Sequence, residues 1–190
     1  MDHIIKLIRR CKNNDKGAFN DLLRKHENYL YQLCYGLTRD KDEALDIMQE
    51  TYIKVFRTMH RFDENRPFLP WLKKIAINTF LNHRRGFSEE PHLSLEAHRE
   101  DSYRMTETLA GKENTEETAL LSSTRDVIDT LLRELPPNYR AALILRYMEE
   151  MSYEEIARTL DQPLGTVKSS IFRARNILRK KMEKDRLLEV

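Results

Sequence analysis

The sequence predicts an all-α protein made of two small helical domains joined by a flexible linker, with a helix-turn-helix in the C-terminal domain. Apolar residues recur at helical spacing in both halves of the chain, and only five of its 190 residues are glycine. This periodicity fades between residues 87 and 118, which separates a first domain over 1–86 from a second over 119–190. Each domain lies near the lower size limit for independent folding.

The first domain is predicted to contain four helices. A first amphipathic helix ends at the polar run 13–17, and a second is expected over about 18–38. Asp40 or Asp42 can cap the third helix, whose acidic start suits a helix N-terminus. Pro70 can occupy the first turn of a fourth helix over 71–84, because proline is tolerated there.

The segment 87–118 is predicted to be an acidic, solvated linker. It holds nine carboxylates against three cations, and it contains few apolar residues at regular spacing. Such a composition buries too little apolar surface to offset the entropy of ordering the chain. Helical periodicity returns at about Ala119 and runs to the pair Pro136 and Pro137, and a further helix is expected over 139–149.

Residues 152–181 have the pattern of a helix, a tight turn and a second helix. Ser152 stands at an N-cap position, and the first helix should end near Leu160. In the turn, Pro163 cannot continue a helix, Gly165 tolerates a positive φ, and Thr166 can cap the second helix. That second helix should turn one apolar stripe inward, made of Val167, Ile171, Ala174 and Leu178.

The other faces of this second helix are cationic. Between residues 168 and 184 there are seven cations and one carboxylate. Helix-turn-helix units place the early residues of their second helix against base edges, and cations nearby neutralise phosphates. Lys168, Ser169 and Arg173 are therefore the base-reading candidates, and the sequence predicts DNA binding at this face.

Composition argues against several other classes of protein. Cys11 and Cys34 have neither metal-ligand spacing nor a disulfide framework, and the six histidines show no ligand pattern, so no metal or other cofactor is expected. No stretch approaches a membrane span and no signal peptide is evident, so we expect a cytoplasmic protein without membrane insertion. The formal net charge of +2 is uninformative, because acidic and basic segments offset each other.

Six segments, in order and spacing, resemble the extracytoplasmic-function group of bacterial RNA polymerase sigma factors, in the sigma-70 family. The resemblance covers both domains and leaves out the linker. Its segments are AFNDLLRKHENYLYQLCY, DIMQETYIKVFR, WLKKIAINTFLNHRR, LPPNYRAALILRY, MSYEEIA and PLGTVKSSIFRAR. It implies a transcription initiation factor, not an enzyme, that binds core RNA polymerase and promoter DNA.

The resemblance also implies roles for residues of the first domain. Core polymerase would dock on Asp46, Gln49 and Glu50. The loop after that helix would capture a flipped base of the non-template minus-ten element, and Asn78 would contact the same element. Four cations would hold the backbone of the strand, and Asn82, where the family often has aspartate, would bear on which bases are accepted. The implied minus-ten set is Arg61, Phe62, Asp63, Glu64, Asn65, Arg66, Lys73, Lys74, Asn78, Asn82, Arg84 and Arg85.

In the second domain, the resemblance implies recognition of the minus-thirty-five element in the duplex major groove. The implied contacts are Thr166, Lys168, Ser169, Phe172, Arg173 and Arg175. Many members of the group are held inactive by an anti-sigma factor, often membrane-bound, so such a partner is expected here. The linker carboxylates Glu113, Glu116 and Glu117 would lie along the path of the RNA, and charge reversal there would alter abortive initiation.

At several positions the chain departs from the family pattern. A threonine usually precedes the tryptophan, an aspartate is frequent in the fourth helix, glycine is common at two turns, and arginine is common in the last helix. The residues found here are, in the same order, Pro70, Asn82, Glu150 and Asp161, and Ser170. These differences bear on promoter sequence and leave the class of function unchanged.

Two other classes of function match parts of the sequence. A stand-alone helix-turn-helix regulator would share the second domain but would not need the DIMQE segment or the 71–85 pattern. An enzyme of phosphate chemistry is suggested only by Gly165 to Ser169, which lacks the glycine-rich run and the preceding strand of a phosphate-binding loop.

Overall fold

A computed structural model describes residues 2–86 and 126–184. Within these ranges the chain forms helices and contains no strand. The elements of the first part are α1 (Asp2–Lys12), α2 (Lys16–Thr38), α3 (Lys41–Thr58), a 3-10 turn (Met59–Arg61) and α4 (Phe68–Gly86). Those of the second part are α5 (126–133), α6 (Pro137–Tyr147), α7 (Tyr153–Leu160) and α8 (Leu164–Lys184). The all-α prediction is confirmed.

The first part is a bundle in which α2 packs against α1, α3 and α4. Its helix starts follow from local chemistry. The Asp15 carboxylate accepts a hydrogen bond from the Ala18 amide at 2.9 Å, and Asp40, not Asp42, accepts from the amides of Asp42 and Glu43 at 3.1 Å. Apolar side chains at helical spacing fill the centre, among them Leu22, Leu30, Leu33, Ile47, Leu72, Ile77 and Phe80.

In the second part, α8 packs against α6 and α7. Leu132, Leu135, Leu143 and Ala174 form a small buried cluster between α5, α6 and α8. The helix predicted from about Ala119 is described only from residue 126, and the linker 87–118 lies outside the described residues. Ile128, an apolar residue of this helix, is 44% exposed.

The two parts pack against each other, which the sequence did not predict. Ile144 and Leu145 of α6, and Ile156 and Leu160 of α7, belong to the same continuous core as the side chains of α2 and α4. Gly36 allows this approach, because a β-carbon there would lie 3.2 Å from the sulfur of Met148. The described residues thus form the two helical parts that the sequence predicted, packed against each other through this core.

Both cysteines are free and buried. Cys34 is fully buried, and burial raises the pKa of its thiol to about 12. Cys11 is 6% exposed, and burial together with the nearby Asp15 raises the pKa of its thiol to about 11. Neither thiol forms a thiolate at neutral pH, so neither has the character of a reactive cysteine. Among the described helices, none is long and apolar enough to cross a membrane.

Two positions where the family commonly has glycine adopt left-handed backbone conformations. Glu150 and Asp161 both have φ of 53°. A β-carbon in this region costs about 1 kcal/mol, since it approaches the following carbonyl oxygen. These two residues therefore carry backbone strain that glycine would remove.

We expect Glu150→Gly to raise the melting temperature by about 4 °C, because the relief of strain exceeds the entropy that glycine adds to the unfolded chain. Thermal unfolding followed by circular dichroism measures this shift. Glu150→Ala is the matched control, since it removes the carboxylate but keeps the β-carbon. A glycine variant no more stable than the alanine variant would show that the strain is absent.

Candidate nucleic-acid interface

The helix-turn-helix begins with a complete capping box. The Ser152 hydroxyl accepts from the Glu155 amide at 3.2 Å, and the Glu155 carboxylate accepts from the Ser152 amide at 2.8 Å. The hydrogen bond from the Ser152 amide holds the pKa of the Glu155 carboxyl below its usual range. The prediction of Ser152 as the N-cap is confirmed.

The turn itself differs from the prediction at two residues. Its left-handed residue is Asp161, which caps α7, and not Gly165. The helix α8 begins at Leu164, so Thr166 lies inside the first turn and is not its cap; the Thr166 amide donates to the Pro163 carbonyl at 2.9 Å. Pro163 directly precedes the helix, and its carbonyl accepts from the Val167 amide at 3.2 Å.

The predicted minus-thirty-five residues lie together on the outer side of α8. Val167, Ile171 and Ala174 point into the core, as expected, and Leu178 is partly buried. Phe172 stands out, because 66% of this large apolar side chain is exposed among cations. The remaining candidates are also exposed: Thr166, Lys168, Ser169, Arg173 and Arg175.

A neighbouring side chain orients one of these cations. Arg173 Nη1 donates a hydrogen bond to the Tyr139 hydroxyl at 3.1 Å, and this bond raises the pKa of Arg173. Tyr139 belongs to the first turn of α6 and packs against the cluster around Leu143. Tyr139 was not among the predicted site residues. Its contact with Arg173 arises where α6 packs against α8, and helical periodicity gives no sign of that contact.

The loop predicted to capture a base is ordered by its own side chains. Phe62 is only 4% exposed and packs against Trp71, with ring centroids 4.7 Å apart, so it supports the loop from the core. Glu64 pairs with Arg9 at 2.7 Å and Lys12 at 3.1 Å, which ties the loop to α1. The side chains left exposed are Arg61, Asp63, Asn65 and Arg66.

Asp63 adds a turn within this loop, since its carboxylate accepts from the Asn65 amide at 3.0 Å. That hydrogen bond holds the pKa of the Asp63 carboxyl below its usual range. The exposed residues of this loop therefore flank the buried Phe62 ring, which packs against Trp71. The prediction of Phe62 as a surface contact with DNA is not matched by its burial, and Glu64 is engaged within the protein.

On α4, Asn78 and Asn82 are exposed one helical turn apart, so both amides face outward on one side. The cations predicted to hold the strand are largely engaged. Lys73 pairs with Glu149 of the second part at 2.5 Å, and Arg84 pairs with Glu43 at 2.7 Å. Lys74 donates to the Arg158 carbonyl at 3.4 Å. The side chain of Arg85 lies outside the described set.

The predicted docking residues share an exposed face of α3. Asp46 and Gln49 are exposed, and Glu50 is half-exposed and pairs with Lys54 at 2.6 Å. Apolar side chains extend this face: Leu45, Ile53 and Phe56 are 38%, 46% and 44% exposed. An apolar patch beside carboxylates is typical of a protein-protein interface.

Comparison with known families identifies the two parts of the chain. Residues 22–88 match the model of sigma-70 region 2, and residues 125–178 match the model of sigma-70 region 4. A relative from Bacillus subtilis, the ECF RNA polymerase sigma factor SigW, is 33% identical over 94% of this chain and 96% of its own length. The chain belongs to the extracytoplasmic-function sigma factors. It is therefore an alternative sigma factor, a subunit that directs RNA polymerase to particular promoters.

Other proteins agree with this assignment. The RNA polymerase sigma-H factor of Pseudomonas aeruginosa is 34% identical to this sigma factor over 94% of the chain and 93% of its own length. Among solved structures, CnrH in complex with the cytosolic domain of CnrY has a TM-score of 0.61 at 22% identity, over 95% of this chain and 97% of that chain.

RpoE from Bartonella quintana, solved with the anti-sigma factor NepR, has a TM-score of 0.58 at 23% identity and covers 87% of this chain and 96% of that chain. Both likenesses concern the fold of this sigma factor.

Two apolar residues on the predicted docking face of this sigma factor could not have been identified from periodicity. Phe56 contacts Phe19 at a ring-centroid distance of 5.0 Å while its side chain remains 44% exposed. Ile53 was assigned to neither side. The sequence did place Ile53 one helical turn after Gln49 and three residues after Glu50, on the face already predicted to dock.

Proposed function

We propose that this chain gives core RNA polymerase its promoter specificity through three separate surfaces. The first domain, residues 1–86, docks on polymerase through α3 and binds the minus-ten element. The second, residues 119–190, binds the minus-thirty-five element, and residues 87–118 connect the two. The observation that carries this proposal is the exposed Phe172 among cations on a helix that follows a tight turn.

For the minus-thirty-five element, we propose that α8 enters the major groove. Lys168, Ser169 and Arg173 can hydrogen-bond to base edges, and the Phe172 ring can contact a thymine methyl group. Arg175 and Thr166 lie where they can hold phosphates. Tyr139 acts as a positioning residue, since its hydroxyl restricts the guanidinium of Arg173 before DNA arrives.

For the minus-ten element, we propose that the exposed side chains of the loop receive an unstacked base. Arg61, Asn65 and Arg66 are available at its surface, and Asn78 and Asn82 offer donors and acceptors beside it. Phe62 and Glu64 act indirectly, by supporting the loop from the core and from α1. This division separates contact residues from supporting residues.

For polymerase docking, we propose that the carboxylates set the orientation and the apolar side chains supply most of the affinity. Ile53→Ser should weaken binding to core polymerase about tenfold, because it removes a half-exposed apolar side chain from the centre of the face. Equilibrium binding of a labelled chain to core polymerase measures this loss.

Ile128→Ser is the matched control, since Ile128 is 44% exposed but lies on α5, away from the docking face. Thermal stability should stay unchanged in both variants. Equal affinity of the Ile53 variant and the control would contradict the docking assignment.

We also propose that an anti-sigma protein controls this chain and that the chain works in the cytoplasm, where RNA polymerase and its promoters are found. Support comes from the likeness to RpoE, which was solved in complex with the anti-sigma factor NepR. Affinity capture from the native host tests this point. Constitutive promoter activity in cells, with no specific inhibitor recovered, would count against it. No reaction or cofactor is proposed.

A further inference from the structure

A polar cleft lies beside the base-reading face of α8. It is bordered by the first turn of α6, by the turn between α7 and α8, and by α8 itself, and its volume is about 550 Å³. Among the described residues that line it, Arg173 carries a positive charge and none is a carboxylate. The other polar side chains of the lining are amides and hydroxyls: Asn138, Tyr139, Gln162, Thr166, Ser169 and Ser170. The cleft therefore suits an anion held by neutral donors beside one cation.

The small side chain of Ser170 leaves this space open. Ser170 is 4% exposed and lines the cleft, at a position where the family pattern commonly has arginine. A longer side chain at this position would occupy part of the cleft and would bring a second cation to it. This sigma factor therefore lacks a charge that the family pattern offers to the DNA backbone, and it presents a cleft with neutral donors in the same place.

The Tyr139 hydroxyl connects the cleft with the base-reading face. Its oxygen accepts from Arg173 Nη1 at 3.1 Å. A guanidinium has five donors and no acceptor, so the tyrosine proton cannot be donated back to Arg173. The Tyr139 side chain packs against the buried cluster of α5, α6 and α8, which fixes its place in the cleft wall. The hydroxyl proton is therefore available to a ligand in the cleft.

The position of the cleft favours a phosphate of duplex DNA over a free anion. Ser169 and Arg173 lie one helical turn apart on α8, and both belong to the cleft lining as well as to the predicted base-reading set. A recognition helix in the major groove runs between two sugar-phosphate backbones, and polar side chains beside it hold their phosphates. With α8 in the groove, one backbone therefore passes the mouth of the cleft, where Asn138 and Thr166 are exposed.

We propose that this cleft holds one phosphate of the minus-thirty-five element, and that Tyr139 donates its hydroxyl proton to that phosphate while it orients Arg173 toward a base. The proposal rests on the proposed function, because it requires that α8 enters the major groove of promoter DNA. One hydroxyl then couples a backbone contact to the neighbouring base contact. Since this donor is neutral, it adds affinity without adding a cation to the interface.

The test measures binding of the holoenzyme, formed by the full chain and core polymerase, to a promoter that the wild-type chain uses. Each phosphate of the minus-thirty-five element is replaced in turn by a methylphosphonate, which removes its charge and one acceptor oxygen. Tyr139→Phe keeps the ring and its packing but removes the hydroxyl. Tyr147→Phe is the matched control, because it makes the same change at a residue that is 57% exposed at the other end of α6.

We expect Tyr139→Phe to bind the unmodified promoter about fivefold more weakly than the wild type and the control. At one phosphate, the methylphosphonate should weaken binding by the wild type and the control about fivefold but leave binding by Tyr139→Phe nearly unchanged. The dependence of binding on salt should be the same for all three proteins, because no cation is removed.

A methylphosphonate pattern that is the same for Tyr139→Phe and the wild type would overturn the proposal, even if the variant binds more weakly overall. Unchanged affinity of Tyr139→Phe for the unmodified promoter would overturn it as well. Failure of the proposed function is distinguishable, since the wild-type chain would then direct polymerase to no promoter before any phosphate is replaced.

Discussion

Phe172→Ala should reduce promoter-dependent transcription about tenfold or more while leaving thermal stability unchanged. The ring is 66% exposed on α8, so its removal leaves no cavity in the core. Truncation at such a surface position usually changes stability by less than about 0.5 kcal/mol. Full burial of a phenylalanine side chain contributes about 1.5–3 kcal/mol, so losing the contact of this ring with the groove gives the expected fall in transcription.

The measurement is transcription in vitro with core polymerase and a promoter that the wild-type chain uses, beside a melting curve for each variant. Tyr147→Ala is the matched control, because Tyr147 is also an exposed aromatic residue, at 57%, but lies at the end of α6. A variant that transcribes normally, or one whose activity falls only in proportion to its stability, would contradict the placement of Phe172 in the groove.

Arg140→Met should lower the free energy of unfolding by about 3 kcal/mol. This is the largest loss of stability that we expect from any of the substitutions. Its two terminal nitrogens donate to four carbonyls, those of Leu37, Thr38, Arg133 and Leu135. Methionine fills a similar volume but leaves these acceptors without their donor. Burial and the neighbouring Arg84 lower the pKa of Arg140 to about 10, so the residue stays charged at neutral pH.

Urea unfolding measures this effect as a shift of the midpoint. Arg158→Met is the control, because the Arg158 side chain is exposed on α7 and the change in charge is the same. We also expect the radius of gyration of Arg140→Met to rise, since two of the four bonds cross between the domains. A midpoint equal to that of Arg158→Met would show that the buried guanidinium contributes no net stability.

The features that the sequence predicted correctly depend on residues close together in the chain. The capping box at Ser152 needs only Glu155, three residues away, and the inward stripe of α8 needs only helical spacing. The two incorrect details of the turn are also local. Gly165 was expected to provide a positive φ, but Asp161 holds the left-handed position, where its amide donates to the Ala157 carbonyl and caps α7.

The contacts between domains could not be predicted, because they depend on residues far apart in the chain. Arg140 reads as a solvated charge until the carbonyls of Leu37 and Thr38, about a hundred residues earlier, are brought beside it. The Glu149 carboxylate likewise contacts Tyr29 and Lys73, which lie far earlier in the chain. The resemblance predicted the DNA contacts residue by residue. The structure then showed that Phe62 is buried, whereas other residues of its loop are exposed.

Promoter-selective transcription in vitro tests the central claim most directly. Core polymerase, this chain and a library of randomised upstream DNA are combined, and a parallel reaction omits the chain. We predict transcripts that start downstream of an enriched two-part motif only when the chain is present. Duplex DNA bound by the chain alone, with no selection that depends on polymerase, would contradict the account and favour a stand-alone regulator.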